Sequence, residues 1–203
     1  MMIREDSHML IRDVLSKRTF TEIENRDSQY RQGAVLVPFL LDQGEYKVLF
    51  TKRTDHMDDH RGQISFPGGS VDENDRTYQD TALRETYEEV GVRPEDVMIL
   101  GRMDDALTMS SNFLVHPFVG YVPYPYAFAV NAREVKRLII APLKIFLPAS
   151  PSARRDTVEY DGVAYESETY HYRGDIIWGA TARIMKKLVD ILGEKIDLLV
   201  KRQ

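Results

Sequence analysis

The sequence predicts an α+β domain of α/β/α sandwich type, a mixed β-sheet flanked by helices. Three observations lead there. Apolar, β-rich runs recur at Ala34–Leu41, Tyr46–Thr51, Val97–Leu100, Phe113–Val122 and Val135–Ile140. Helical periodicity appears at Arg76–Val90 and Trp178–Leu192. No repeat, low-complexity tract or Gly/Ser-rich linker divides the 203 residues, so residues 1–203 read as one decorated domain.

Taken in order, Ser7–Leu15 carries Leu10, Ile11 and Leu15 at helical spacing, which predicts a short N-terminal helix over about residues 7–17. The first two apolar runs flank Gln43-Gly44, a hairpin signal. Ile64-Ser65-Phe66 reads as a short strand ended by a turn at Pro67-Gly68-Gly69. The helix over Arg76–Val90 has Asp75 or Thr77 as its N-cap and Gly91 as its stop. At roughly 100° per residue, Leu83, Thr86, Tyr87 and Val90 share one face of it, with Glu85, Glu88 and Glu89 opposite. The last helix begins at Trp178, a residue expected in the core, and extends over about residues 178–200.

Composition narrows the function classes. A chain of this length buries roughly 70% of its unfolded surface and needs no staple to fold. Zero cysteines exclude disulfides, Cys-ligated zinc, iron–sulfur clusters and a thiol nucleophile. No apolar run approaches the roughly 20 residues that span a bilayer, and the charged N-terminus lacks a signal-peptide pattern, so a cytoplasmic protein without membrane association is expected. The net charge of -5 argues against broad nucleic-acid binding.

The chemistry concentrates in Arg84-Glu85-Thr86-Tyr87-Glu88-Glu89-Val90-Gly91-Val92. Glu85, Glu88 and Glu89 stand at i, i+3 and i+4, so three carboxylates crowd one helical surface. Two unit charges about 4 Å apart repel by roughly 4 kcal/mol at an effective dielectric of about 20. A divalent cation removes that cost, and an all-oxygen set without His or Cys favours Mg²⁺ or Mn²⁺ over zinc. A run of Glu is otherwise a solvated helix face.

Context decides against that plain reading. The Gly-Gly turn, the Arg before the first Glu and the closing Gly resemble the Nudix box, Gly-x5-Glu-x7-Arg-Glu-U-x-Glu-Glu-x-Gly-U, over about residues 69–92. Three positions depart from it. Asp75 stands where the box has Glu, eight residues instead of seven precede Arg84, and Thr86 replaces an aliphatic residue. The first two bear on the acid–arginine pairing within the motif. Leu49-Phe-Thr-Lys-Arg-Thr54 and His60-Arg-Gly-Gln-Ile-Ser-Phe-Pro-Gly-Gly69 are similar to the segment that precedes the box in the coenzyme A pyrophosphatase branch. Thr108–Gly120 and Ile177–Ala182 resemble later segments of that branch, and the likeness runs over about residues 34–190. Asp55-His-Met-Asp-Asp59 departs from it, where the branch typically has a Leu-Arg pair before the His.

The resemblance implies a Nudix hydrolase that uses Mg²⁺ or Mn²⁺ to hydrolyse the diphosphate of coenzyme A or its derivatives. It implies Glu85 and Glu89 as metal ligands, Glu88 as a third ligand or a base, and the Gly69 carbonyl completing the shell. Arg84 orients a carboxylate, forms a structural ion pair or meets substrate; Glu134 is either a further acid near the metals or an exposed strand-end residue. Lys52 and Arg53 are candidates for phosphate contact, with edge-strand solubility the plainer explanation. His60 and His116 lie in the similar segments, although a lone His is more often structural. The aromatic run Tyr121–Phe128 fits a ligand cleft or strand packing equally well. ADP-ribose, nucleotide sugars, nucleoside triphosphates and a non-catalytic ligand-binding module remain competing readings. The expected partner is a small dinucleotide-like molecule, with a homodimer left open.

Overall fold

The computed structural model describes residues 7–26, 29–54, 62–108 and 111–200. His60 and the Asp55–Asp59 departure lie outside the described residues. The chain runs α1 (His8–Ser16), β1 (Arg31–Asp42), β2 (Glu45–Arg53), β3 (Ile64–Ser65), β4 (Gly68–Ser70), α2 (Tyr78–Val90), β5 (Met98–Arg102), β6 (Ala106–Leu107), β7 (Phe113–Tyr121) and β8 (Val135–Pro142). Then follow β9 (Ala153–Tyr160), β10 (Val163–Tyr172), β11 (Asp175–Ile177), α3 (Gly179–Leu192) and α4 (Ile196–Val200). Among the described residues no helix is long and apolar enough to cross a membrane.

Strands β1–β8 form a mixed sheet ordered β3-β2-β1-β7-β5, with β4 added to β1, β6 to β7 and β8 to β2. The β1–β2 hairpin turns in two residues, Gln43 and Gly44, both at positive φ (49° and 81°), which matches the twist of the flanking strands. Strand β7 pairs in parallel with β1 from Arg31↔Phe113 to Phe39↔Tyr121, and α2 lies in the crossover between them. The expected turn at Gly68-Gly69 is instead a short strand. Gly68 pairs with Val35 and Gly69 with Ala34, because β1 extends beyond its hairpin partner and leaves backbone groups that β4 satisfies.

Both faces of the sheet are covered. Val37, Phe39, Val48 and Phe50 pack with Ile11 and Leu15 of α1 and with Ala182, Ile184, Met185 and Leu188 of α3. Alternate β1 residues, Ala34 and Leu36, meet Ala82 of α2 and Phe118 of β7 on the other face. Coverage of both faces explains the near-continuous apolar runs of β1 and β2. The separate antiparallel sheet β11-β10-β9, which packs against α3, lies outside the expected strands, although its hairpins turn at Asp161-Gly162 and Arg173-Gly174, all at positive φ. Its strands are mostly polar and half-exposed, so they lack the apolar runs that reveal a buried strand.

Helix α2 begins at Thr77, whose side chain accepts the Asp80 N–H, and ends at Gly91 with φ 73°. Its orientation differs from the expected one. Thr81, Ala82, Thr86, Glu89 and Val90 are buried, while Tyr87 is 53% exposed. The small residues, including the anomalous Thr86, let the helix approach the sheet, and the Thr86 hydroxyl is satisfied by the Ala82 carbonyl at 2.6 Å.

A side chain at Gly91 is excluded twice, by the left-handed backbone and by Ala129, whose Cβ would lie 2.6 Å from an added Cβ. Gly91→Ala is therefore expected to cost about 1–3 kcal/mol, read as a lower Tm with the far-UV spectrum retained.

Candidate active site

The site forms where α2 passes over β4. Arg84 is its centre. Its Nε and Nη2 donate to the two Asp75 oxygens at 3.0 and 2.9 Å, and Nη2 also reaches the Ser70 carbonyl at 3.0 Å. Its Nη1 contacts Glu85 at 2.8 Å and Glu88 at 3.3 Å. The acid–arginine pairing therefore survives the longer box and the shorter acid. Thr81 Oγ1 and the Asp72 N–H complete the shell of Asp75 at 2.8 and 2.9 Å. The Arg84 hydrogen bonds hold the Asp75 carboxyl far below the usual carboxylate range.

The three glutamates sit in different surroundings. Glu88 is half-exposed. Glu85 lies against Gly69 so closely that an added Cβ there would fall 2.5 Å from its carboxylate. Burial raises the Glu85 pKa, opposed by Arg84. Glu89 is 2% exposed, and its Oε2 has no hydrogen-bond partner. Burial pushes its pKa up to about 8; the charge of Arg53 opposes the rise, while those of Glu85 and Glu134 add to it.

Glu134 thus lies within electrostatic reach of Glu85 and Glu89. It is held by Asn131, whose Nδ2 donates to Glu134 Oε1 at 2.9 Å and whose backbone N–H donates to the Glu89 carbonyl. Sequence reasoning missed Asn131 because a side-chain tether of this kind has no periodic signal.

A buried carboxylate oxygen without a donor, beside a second buried carboxylate and a close-packed glycine backbone, fits a hard divalent cation. Among the described residues no three His, Asp or Glu side chains already stand together as a ligand set, since Arg84 engages Glu85 and Glu88. Arg84 takes only the Oε1 of Glu85.

The other candidates divide. Arg53 lines a cavity of about 150 Å³ together with Gly68 and Gly69. Lys52 does not share that cavity; its Nζ pairs with Asp175 at 3.0 Å, and Arg137 binds the second Asp175 oxygen. Burial alone would raise the Asp175 carboxyl, but these two cations hold it below the usual range. His116 is buried, hydrogen-bonded to Asp105 and Gln32 at 2.8 and 2.6 Å and stacked on Tyr78, which makes it structural. Trp178, expected in the core, is only partly buried and lines the same cavity as Arg53. In the aromatic run, Val122, Tyr124, Tyr126 and Phe128 pack into one apolar cluster beside Val90, so packing accounts for them.

The NUDIX domain family model matches residues 30–138, more than half of the chain. The chain belongs to the Nudix family. It is 37% identical over 158 residues to proteins named "Uncharacterized Nudix hydrolase NudL" from Yersinia pestis and Yersinia pseudotuberculosis, covering 78% of this chain and of each relative. Among solved structures, a Caenorhabditis elegans Ap4A hydrolase binary complex is similar at 19% identity and a TM-score of 0.48, over 55% of this chain and 80% of that one. As a Nudix hydrolase the chain acts on phosphorus-containing anhydrides, and enzymes of the family generally need divalent metal ions.

An elevated carboxyl pKa has a definite sign in stability. The folded state holds the Glu89 proton more tightly than the unfolded chain, so this group stabilises the fold below about pH 4.5, and that contribution is lost as pH rises through about 8. In metal-free protein, Glu89→Gln is expected to raise stability at pH 8 by at least about 1 kcal/mol, or about 2–4 °C in Tm, with the gain shrinking toward pH 4.5. A pH-independent difference would contradict the assigned environment. Asp75→Ala acts in the opposite sense at neutral pH, with an expected loss of about 3 kcal/mol because Arg84 and Thr81 lose their shared partner.

Proposed function

We propose that residues 1–203 form one Nudix hydrolase unit that cleaves the diphosphate linkage of coenzyme A or its derivatives, giving 3′,5′-ADP and 4′-phosphopantetheine or its acyl form. One observation carries the substrate. The three segments similar to the coenzyme A pyrophosphatase branch are far apart in sequence, yet each contributes to the wall of one cavity: Arg53 with Phe66 and Gly69, then Thr108 with Phe113, then Trp178 with Thr181. Gly69 and Glu85 stand in contact at its edge, so the cavity adjoins the carboxylates.

In this reading Glu85 and Glu89 hold Mg²⁺ or Mn²⁺ with the Gly69 carbonyl, and Glu88 serves as a further ligand or as the base that takes a proton from water. Bound there, the ion neutralises diphosphate charge and makes water a competent nucleophile near neutral pH. Arg84 keeps Glu85 and Glu88 oriented from its anchor on Asp75. Arg53, on the cavity wall, supplies the cationic partner for a phosphate, while Lys52 braces Asp175 and is removed from that role. Glu134 acts through its charge on Glu85 and Glu89, with no contact to substrate required. Water attack at phosphorus breaks the phosphoanhydride, and no side chain is covalently modified.

Purified protein with Mg²⁺ or Mn²⁺, challenged in parallel with coenzyme A, ADP-ribose and a nucleoside triphosphate, is expected to cleave coenzyme A at the diphosphate. Intact coenzyme A beside a cleaved competitor would reject the substrate. Glu89→Gln is expected to lower kcat by at least about 100-fold with the fold retained, since it removes a proposed metal ligand. Undiminished turnover in that variant refutes the mechanism.

A further inference from the structure

Three aromatic side chains remain without a role in the chemistry above. Trp178 is the N-cap of α3 and has extended backbone angles (φ -147°, ψ -176°). Its ring meets Tyr160 at 5.5 Å and Tyr165 at 5.8 Å between centroids, with tilts of 52° and 39°. All three side chains are only partly buried, while their neighbours Ile177, Ala182 and Ile184 are closed into the core. Trp178 also lines the cavity that reaches Gly69 and Arg53, so the cluster stands at the margin of that cavity.

The cluster is held in place from several sides. The Gly179 N–H donates to Ser167 Oγ at 3.2 Å, Thr181 Oγ1 donates to the Ile64 carbonyl at 3.1 Å, and Ile177 pairs with Tyr170 in the small sheet. Tyr165 follows the same alternation on β10 as Ser167, which directs both toward the start of α3. A partly open aromatic surface fixed in advance loses little freedom when a flat ring settles on it. The cavity, at about 150 Å³, falls short of the roughly 300–1,000 Å³ of a complete ligand pocket, so it accepts one moiety of a large substrate. Phe66, Phe113 and Ile184 make its wall largely apolar, and Arg53 places a cation on the same wall as the aromatic face.

We infer that Trp178, backed by Tyr160 and Tyr165, is the stacking surface for the purine base of the substrate, so that specificity for a purine nucleotide is supplied by α3 and the small sheet. The inference rests on the diphosphate-hydrolase reading for what lies at the other end of the cavity. It adds which half of the molecule enters it.

Trp178 is the only tryptophan in the sequence, so its emission reports on this surface without labelling. The full chain is titrated separately with adenosine 3′,5′-bisphosphate and with 4′-phosphopantetheine, following that emission. Saturable quenching by the bisphosphate, with no change from phosphopantetheine, is expected. By calorimetry, Trp178→Ala weakens bisphosphate binding about 10- to 100-fold, and Trp178→Phe recovers most of the loss because a flat ring is restored. Emission that responds to phosphopantetheine and not to the bisphosphate overturns the inference. So does Trp178→Ala binding as tightly as the unaltered protein. If that variant fails to fold, the unaltered protein's titration and a Tyr165→Ala variant decide the matter. Cleavage of coenzyme A by a protein whose emission ignores the bisphosphate refutes the stacking site alone. Purine-dependent quenching in a protein that leaves coenzyme A intact refutes the proposed substrate and leaves the base site standing.

Discussion

The candidate active site depends on one guanidinium. Arg84 joins the loop before α2, through Asp75 and the Ser70 carbonyl, to two of the three clustered glutamates on α2. A planar fork of donors can serve all these acceptors together, which an ammonium could do only in turn. The bidentate pair with a nearly buried Asp75 holds the loop against the helix, and the bond to the Ser70 carbonyl holds the end of β4 beneath it. That in turn sets the close approach of Gly69 to Glu85, an approach a single methyl group would block. Asp75 reaches the arginine despite having one methylene fewer than the Glu of the usual box.

Around that anchor, adjacent residues of one helix stand in different surroundings. Glu88 faces water. Glu89 turns toward the sheet, where desolvation outweighs the opposing charge of Arg53. The buried Glu89 oxygen without a hydrogen-bond partner costs stability, a common compromise at functional sites.

Much of this was legible in the sequence, in the parts governed by local rules. The Gln43-Gly44 hairpin, the Thr77 cap, the Gly91 stop and the spacing of Glu85, Glu88 and Glu89 each follow from a few neighbouring residues. The rotation of α2 did not, because periodicity assumes the largest apolar residues face inward. Here Thr81, Ala82 and Thr86 face the sheet, since they permit close packing, and Tyr87 is left outside. The ion pair of Lys52 was not legible either, because its partner Asp175 lies 123 residues away, beyond any local pattern. Trp178 read as core because an apolar residue at the start of an apolar helix usually is, and only the neighbouring Tyr160 and Tyr165 reveal another setting.

The Lys52–Asp175–Arg137 cluster bears on how the two sheets cooperate. Asp175 begins β11 in the small sheet, whereas Lys52 and Arg137 face each other across β2 and β8 in the large one. A nearly buried carboxylate shared by two cations is costly to break and sensitive to geometry, so it resists sliding of one sheet over the other. Lys52 is followed directly by Arg53 on the cavity wall, and Asp175 precedes Trp178 by three residues. The ion cluster therefore ties the strand that carries the proposed phosphate partner to the strand that leads into the proposed base platform. Pairing a phosphate and stacking a base in one cavity require a fixed distance between the two groups, and a cross-sheet ion pair provides that rigidity without occupying the cavity.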